Sequence, residues 1–384
     1  MVSIKRREFI QHIVKASVLA TISGCSASSN FLKSQSSSTL GTDKLYIDGL
    51  SFVPNDPIDV KASQLNSFIA DISAIEQIEN SDGSINYKRT YNACMKSIKA
   101  KAALMNSHPD TYLIADKGSD IAIAKAEDKC AVFMQIQGAD CVESNLNQVD
   151  EFHDLGLRVL QLTHHYNNLY AGGALSVEKR GLSKQGFELI EKLESKNMLI
   201  DLSHSSVESA TDTLAAAKGP IVQTHGAARA LVNNARCTPD QVLKGIADSG
   251  GVFGVFMMSW WLTNETIPRA EHYIEHLKHI RNVAGIDAVA IANDYPLRGH
   301  EKALLSGNNN QVAIEGYDSW WKSVGDKGVL GFDKEVNHIV VPELNHIKRM
   351  RSIEYQLSKA KFSAAEIDKI MGKNWQRVLV DVLG

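Results

Sequence analysis

The stretches L-I-D-L-S-H-S-S at residues 199–206 and G-P-I-V-Q-T-H-G-A-A at residues 219–228 indicate two consecutive strand–helix units. Each contains a short apolar run typical of a buried strand, and a histidine follows each run, His204 in the first unit and His225 in the second. A helical pattern begins at Ser206, between the two strands. Because catalytic residues of parallel barrels collect at the carboxyl ends of the strands, both histidines are candidates for one active site.

The rest of the chain repeats this alternation of strands and helices. Eight strands are predicted, at 44–50, 67–73, 131–136, 157–162, 198–202, 221–225, 251–256 and 288–292. Helical periodicity is present at 87–105, 149–155, 187–196, 206–217, 269–283 and 364–383. This order predicts an α/β fold, the (β/α)8 TIM barrel. Residues 297–340, rich in glycine and asparagine, are predicted to be an irregular insertion over the barrel mouth.

Composition excludes several classes of protein. The chain has 384 residues, of which 44% are hydrophobic, and a formal net charge of −3, which supports one large barrel domain over residues 44–384. A near-neutral chain has no basic surface for nucleic acid, so no nucleic-acid partner is expected. No apolar run reaches the length of about 18 residues that a membrane-spanning helix needs.

The N-terminus has the pattern of a bacterial export signal. Lys5-Arg6-Arg7 precedes a mildly apolar stretch and then Ile22-Ser23-Gly24-Cys25, which indicates a twin-arginine lipoprotein signal peptide over residues 1–24. Cleavage would leave a lipid on Cys25, followed by a serine-rich tether over 25–43. We therefore expect a periplasmic protein, exported by the twin-arginine route, whose lipid on Cys25 anchors it to the outer membrane.

Four further cysteines match no zinc motif: Cys94, Cys130, Cys141 and Cys237. An oxidising compartment permits disulfides between them, and buried free thiols are the alternative.

Several motifs together resemble the membrane (renal) dipeptidases, peptidase family M19. They are the two histidine stretches above, N-A-R at 234–236, L-Q-L-T-H-H-Y-N-N at 160–168, H-L-K-H-I-R-N-V-A-G at 276–285 and G-K-N-W-Q-R-V at 372–378. The resemblance runs from about residue 44 to the C-terminus and implies a metal-dependent amidohydrolase-like barrel.

The resemblance also implies roles for individual residues. His204 and His225 match metal-binding histidines, and Arg236 matches the residue that holds the substrate carboxylate, which suits the fork of a guanidinium. His164 matches the residue near the scissile carbonyl, and Asp294 the acid that handles the proton of the attacking water. The alternatives are a structural core position for His164 and a helix N-cap for Asp294.

Other positions depart from the family pattern. The first strand of the family ends in D-G-H-x-D, whose His and Asp bind metal, whereas this chain has Leu50 and Phe52 there. Gln137 stands at the position of the bridging glutamate, and Met257 replaces a tyrosine of the pocket wall. We therefore expect at most one zinc ion, weakly held or absent, bound by His204 and His225, with Gln137 a candidate third ligand.

Two functions follow from this pattern. The first is a metallo-dipeptidase-like hydrolase that acts on a dipeptide or another small amide bearing a carboxylate. The second is a barrel that has lost hydrolysis and serves as a periplasmic binding or maturation protein for a peptide-derived metabolite. Both imply a small peptide-like substrate, and the resemblance implies a homodimer.

Overall fold

Eleven strands are present among residues 44–79 and 85–384, the part of the chain that the computed structural model describes. They are β1 (Ile47–Ser51), β2 (Ser67–Asp71), β3 (Glu76–Glu79), β4 (Ile85–Lys88), β5 (Tyr112–Ile114), β6 (Cys130–Gln137), β7 (Leu157–Gln161), β8 (Leu199–Asp201), β9 (Gln223–Gly226), β10 (Phe253–Val255) and β11 (Val289–Ile291). The predicted signal peptide, the tether and Cys25 lie outside the described residues.

Eight of these strands form a parallel barrel. The order β1-β2-β6-β7-β8 continues into β9-β10-β11 through a parallel bridge between Asp201 and Val222. The barrel closes where the backbone N–H groups of Asn293 and Asp294, after β11, donate to the Leu50 carbonyl oxygen in β1, at 3.3 and 2.9 Å. All eight predicted barrel strands are therefore confirmed, as is the fold class. The hairpin of β3 and β4, and β5 beside β6, were not predicted.

Fourteen α-helices lie in the described part of the chain. They are α1 (Ile58–Ser63), α2 (Tyr91–Asn106), α3 (Asp120–Ala126), α4 (Asn147–Asp154), α5 (Lys184–Ser195), α6 (Val207–Ala216), α7 (Asp240–Asp248), α8 (Ala270–Ala284), α9 (Glu301–Leu305), α10 (Asn310–Ile314), α11 (Asp318–Gly325), α12 (Arg349–Lys359), α13 (Ala364–Asp368) and α14 (Asn374–Leu383). The predicted closing helix is present as α13 and α14, joined by a π-helical turn at Lys369–Lys373.

The prediction of irregular structure for residues 297–340 was wrong in part, because α9, α10 and α11 lie there. Asn309 caps α10 by accepting from the Gln311 N–H at 3.0 Å. In α11, Trp321 and Val324 are three residues apart and both are buried, so this short helix has one apolar face.

The barrel interior changes from apolar to polar toward the carboxyl ends of the strands. Since residues two apart in a strand point to the same face, each interior position is followed by another two residues later. The lower layer belongs to one buried apolar cluster and contains Ile47, Ile69, Phe133, Val159 and Leu199. Two residues further along these strands stand Gly49, Asp71, Gln135, Gln161 and Asp201. The apolar layer fills the barrel interior, a second and larger apolar cluster forms the rest of the core, and the polar layer lies next to the carboxyl ends of the strands.

Trp375 of α14 contributes to the interior between β1 and β11. Its side chain is fully buried, and its indole N–H donates to the Ile291 carbonyl oxygen at 2.9 Å. The ring lies so close to β1 that a Cβ at Gly49 would be 2.4 Å from Trp375 Cζ2 and 2.8 Å from the Thr224 carbonyl oxygen. Only glycine fits at this position.

Cys94, Cys130, Cys141 and Cys237 are all buried free thiols in this structure. No helix within residues 44–79 and 85–384 has the length and hydropathy needed to cross a bilayer.

We predict that Gly49→Ala lowers the free energy of unfolding by about 1–3 kcal/mol, because the added methyl group overpacks the barrel against Trp375. Denaturant unfolding measures the change. Gly219→Ala is the matched control, since a Cβ there meets no atom within 4 Å, and its stability should stay near wild type. Equal stabilities of the two variants would contradict this account of the interior.

Candidate functional site

The carboxylate of Asp201, at the end of β8, joins three strands of the barrel. One oxygen accepts from Gln135 Nε2 of β6 at 2.6 Å and from the Thr224 hydroxyl of β9 at 2.6 Å. The other accepts from the backbone N–H and the hydroxyl of Ser203, at 2.9 and 2.7 Å, and from the Thr224 N–H at 2.8 Å. Burial raises the pKa of Asp201, and these hydrogen bonds oppose that shift.

These contacts position both histidines that the sequence singled out. Ser203 directly precedes His204, and its hydroxyl oxygen accepts from the His225 N–H at 3.0 Å. Thr224 directly precedes His225, and the two side chains contact through Thr224 Oγ1 and His225 Nδ1 at 2.9 Å. As a result the Nε2 atoms of His204 and His225 lie 2.8 Å apart. Their role as metal ligands stays a prediction.

A continuous row of hydrogen bonds runs from His165 to Asp201, and the donor and acceptor of each bond can be assigned. The Thr224 hydroxyl donates to Asp201, so its oxygen accepts from His225 Nδ1. His225 Nε2 is then an acceptor, and His204 Nε2 carries the proton between them. His204 Nδ1 is consequently an acceptor for His165 Nδ1, which lies 3.0 Å away. The tautomer of His204 therefore follows from its neighbours.

His165 is a site residue that the sequence analysis did not single out. Its ring lies 4.4 Å from the ring of His204 and 4.2 Å from that of His164, measured between centroids. One ligand nitrogen from each of His164, His165 and His204 lies within 4.8 Å of the others. The motif T-H-H-Y at residues 163–166 contains two adjacent histidines, and the sequence analysis proposed a role only for the first, His164.

The histidines are neutral at neutral pH. Burial, and then the field of Arg236, lower the pKa of His204 and of His225 well below the usual value. Burial, with Arg236 and Arg89, lowers the pKa of His165 to about 3. Burial, then the neighbouring His165, lowers the pKa of His164. Imidazoles in this state have a lone pair available for a metal ion or a hydrogen bond.

Arg236 is a buried cation with few partners. Its side chain is 2% exposed, one terminal nitrogen is 3.5 Å from the His225 carbonyl oxygen, and its Nε has no hydrogen-bond partner among the described residues. The guanidinium lies over the rings of Phe256 and Trp261, 5.2 and 5.6 Å from their centroids. Burial lowers the pKa of Arg236 to about 10, against the influence of Asp294.

Asp294 is on the same side of the barrel, after β11. It has φ 56°, in the left-handed region, and no helix begins there, so the alternative of an N-cap is wrong. Burial raises the pKa of Asp294 to about 7, and the Arg236 guanidinium opposes the shift. A carboxylate with this pKa can accept and return a proton near neutral pH.

Aromatic side chains of the insertion cover this region. Trp320 of α11 lies 5.5 Å from the His165 ring and 6.2 Å from Trp260, between centroids. Tyr317, in the same segment as Trp320, lies close enough to Asp294 to be affected by its charge. Burial, and then the Asp294 carboxylate, raise the pKa of Tyr317. Residues of the segment 297–340 are therefore in contact with the candidate site.

The family's two-metal ligand set does not fit the residues present. Leu50 is fully buried and Phe52 is partly buried, and neither side chain has a ligating atom. Gln137 lies at the end of β6, where its backbone N–H donates to Ser73 Oγ at 2.8 Å. Its side chain makes no hydrogen bond to the histidines among the described residues, and its role as a third ligand stays a prediction.

We predict that Asp201→Asn lowers the free energy of unfolding by about 2 kcal/mol or more, because an amide nitrogen would face donors now bound to a carboxylate oxygen. Urea unfolding measures the change, and Asp110→Asn, at an exposed position, is the control. Wild-type stability in Asp201→Asn would mean that the hydrogen bonds to the Asp201 carboxylate do not stabilise the packing of these strands.

Comparisons with known proteins agree with the fold and the motifs. The family model described as membrane dipeptidase (peptidase family M19) matches residues 67–305. Dipeptidase tcpJ of Claviceps purpurea is 31% identical over 196 residues, which are 50% of this chain and 46% of that protein. Dipeptidase verJ of Clonostachys rogersoniana is 27% identical over 205 residues, 53% of each chain. The chain thus spans about half the length of the curated relatives it matches.

Solved structures share the architecture. An amidohydrolase from Pseudomonas aeruginosa superposes with a TM-score of 0.73 at 24% identity, over 89% of this chain and 98% of that one. A metallo peptidase from Rhodobacter sphaeroides, liganded with a phosphinate mimic of the dipeptide L-Ala-D-Ala, gives a TM-score of 0.69 at 14% identity, over 88% and 100% of the chains. At these identities the likeness shows the fold alone. The family match over residues 67–305 makes the assignment: this chain belongs to the membrane dipeptidase family, peptidase family M19.

Proposed function

We propose that this chain is a dipeptidase-type hydrolase that cleaves a dipeptide or another small amide with a free carboxylate. Membership of the dipeptidase family supports the reaction class. The observation that carries the substrate class is Arg236, a guanidinium that is 2% exposed and whose Nε has no hydrogen-bond partner among the described residues. A buried unpaired donor on a cation is costly, and a carboxylate that accepts from the guanidinium would remove that cost.

The other side chains of the site supply the reaction. Asp294, with a pKa of about 7, takes the proton of a water molecule that attacks the scissile carbonyl and returns it to the leaving amine. Arg236 fixes the carboxylate, so the amide bond is held at a set distance from it. His164 is partly exposed, and its ring lies 4.3 Å from the ring of His204, between centroids, so it borders the same region; its role near the scissile carbonyl stays a prediction. Trp320 and Trp260 limit the entry of water.

A metal ion is the cofactor of this class of hydrolase, and we propose at most one zinc ion per chain. Such an ion polarises a carbonyl and lowers the pKa of water. Leu50 and Phe52 support this limit, because two family ligand positions have apolar side chains.

We also propose that the protein acts in the periplasm, attached to the outer membrane by a lipid on Cys25, and forms a homodimer. The twin-arginine pattern at Lys5-Arg6-Arg7 and the cysteine after Gly24 support the location. Cys25→Ser should release the protein from the membrane fraction into the soluble periplasm, as cell fractionation measures. Wild-type protein confined to the cytoplasm would contradict the proposal.

We predict that the wild type cleaves dipeptides with a free carboxylate and discriminates against their C-terminal amides. Arg236→Lys should raise KM for the free dipeptides about 10–100-fold, because lysine lacks the paired fork, while the melting temperature changes little. Amine release in the presence of added zinc measures cleavage. Arg351→Lys, at a partly exposed guanidinium that contacts Gln64, is the matched control and should behave as wild type.

Two results would contradict the proposed function. Equal cleavage of free dipeptides and their amides would remove Arg236 as a carboxylate anchor. Binding of dipeptides without cleavage, with zinc present, would favour the second function, a periplasmic binding or maturation protein. The replaced ligand positions Leu50, Phe52 and Gln137 are the observation that favours that alternative.

A further inference from the structure

We propose that this chain binds one divalent transition-metal ion through His164, His165 and His204, on the side of the His204 ring that faces away from His225. This site differs from the family's pair, in which His204 and His225 are both ligands. It also gives His164 a metal-binding role in place of the substrate contact that the resemblance implies. The inference goes beyond the proposed function, because the binding of an ion is measured without any substrate.

The three imidazoles are already gathered in space. One nitrogen from each lies within 4.8 Å of the others, and His165 Nδ1 is 3.0 Å from His204 Nδ1. In a tetrahedral zinc site with Zn–N bonds of about 2.0–2.1 Å, neighbouring ligand nitrogens are about 3.4 Å apart. The distance of 3.0 Å between the two Nδ1 atoms and the limit of 4.8 Å for the whole set lie on either side of this spacing, and three protein ligands leave the fourth position open.

The other face of His204 is occupied by a protein partner. Its Nε2 lies 2.8 Å from His225 Nε2, and the chain through Thr224 to Asp201 leaves His225 Nε2 as the acceptor. His204 therefore carries its proton on Nε2, and its Nδ1 lone pair points toward His165. Metal-binding histidines commonly donate their second N–H to a protein acceptor, which fixes ring and tautomer. His225 has this orienting position.

The backbone at two of the ligands is held in an unusual conformation. His165 has φ 62° and His204 has φ 64°, in the left-handed region that non-glycine residues seldom adopt. One neighbouring segment holds both, because the Leu175 N–H donates to the His165 carbonyl and the Ala174 N–H to the His204 carbonyl, each at 2.8 Å.

The segment that contains Gly173, Ala174 and Leu175 packs closely against the backbone of His165. A Cβ at Gly173 would lie 2.4 Å from the His165 carbonyl oxygen, so glycine is required there. Strained backbone that is fixed by surrounding contacts is typical of functional sites. Here the contacts of residues 173–175 fix the left-handed backbone of His165 and His204, which follow the adjacent strands β7 and β8.

The donor set indicates the kind of ion. Three imidazole nitrogens suit Zn²⁺, Co²⁺, Ni²⁺ or Cu²⁺, whereas Mg²⁺, Ca²⁺ and Mn²⁺ prefer oxygen ligands. The three imidazole ligands carry no negative charge to offset that of the ion. We therefore expect weaker binding than in a site with carboxylate or thiolate ligands.

The test is a metal titration of chelator-treated protein with CoCl₂ and with ZnCl₂, without substrate. Calorimetry gives the stoichiometry, and visible absorption of the Co²⁺ form reports its coordination. Wild type should bind one ion per chain. His164→Ala, His165→Ala and His204→Ala should each lose stoichiometric binding. His225→Ala should retain the ion with affinity reduced about 10–100-fold, as expected for an orienting residue. His108→Ala, at a partly exposed histidine of the helix end after α2, is the matched control.

Circular dichroism and melting temperature check the fold of each variant, and His165→Asn replaces His165→Ala if the latter does not fold. Two outcomes overturn the proposal: His225→Ala abolishes binding while His165→Ala retains it, or the wild type binds no ion stoichiometrically. Dipeptide cleavage is measured separately, so a failure here and a failure of the proposed hydrolase can be told apart.

Discussion

The buried carboxylate of Asp201 is the constraint on which the arrangement of the site depends. It accepts five hydrogen bonds, from Gln135, Ser203 and Thr224, and these residues belong to three strand ends of the barrel. Burying a charge is costly unless it is fully hydrogen-bonded, so each of these donors has to keep its position. The loops that carry His204 and His225 start directly from the residues so fixed. Strand pairing forms the barrel, and the Asp201 carboxylate fixes the relative positions of the residues at three of its strand ends.

The chemistry of the site follows from burial at that rim. Burial, followed by the field of Arg236, keeps His204 and His225 neutral, and burial raises the pKa of Asp294 to about 7. A neutral imidazole cluster, a proton-accepting carboxylate and a cation lacking a partner at Nε thus occupy one end of the barrel. These groups suit a small amide with a carboxylate, which supports the proposed hydrolase.

The fold could be predicted because each barrel strand is an apolar run of the expected length followed by a polar residue. The eight strands and the family were therefore accessible from local sequence, as were the candidate residues at strand ends. The partners of those residues were not accessible. His165 contacts His204 across 39 residues, and Asn293 closes the barrel on Leu50 across more than 200. Ring orientation and tautomer depend on Thr224 and Asp201, which no spacing rule predicts. The helices of the insertion were missed because their apolar faces are too short for periodicity to identify.

In the proposed site, the metal ion lies on the His165 side of His204 and not between His204 and His225. The most direct measurement is an anomalous difference map at the zinc edge, from a crystal grown with zinc. We predict one peak per chain, about 2.0–2.1 Å from His204 Nδ1 and from a ring nitrogen of His165. A peak between His204 Nε2 and His225 Nε2, or two peaks per chain, would contradict the account.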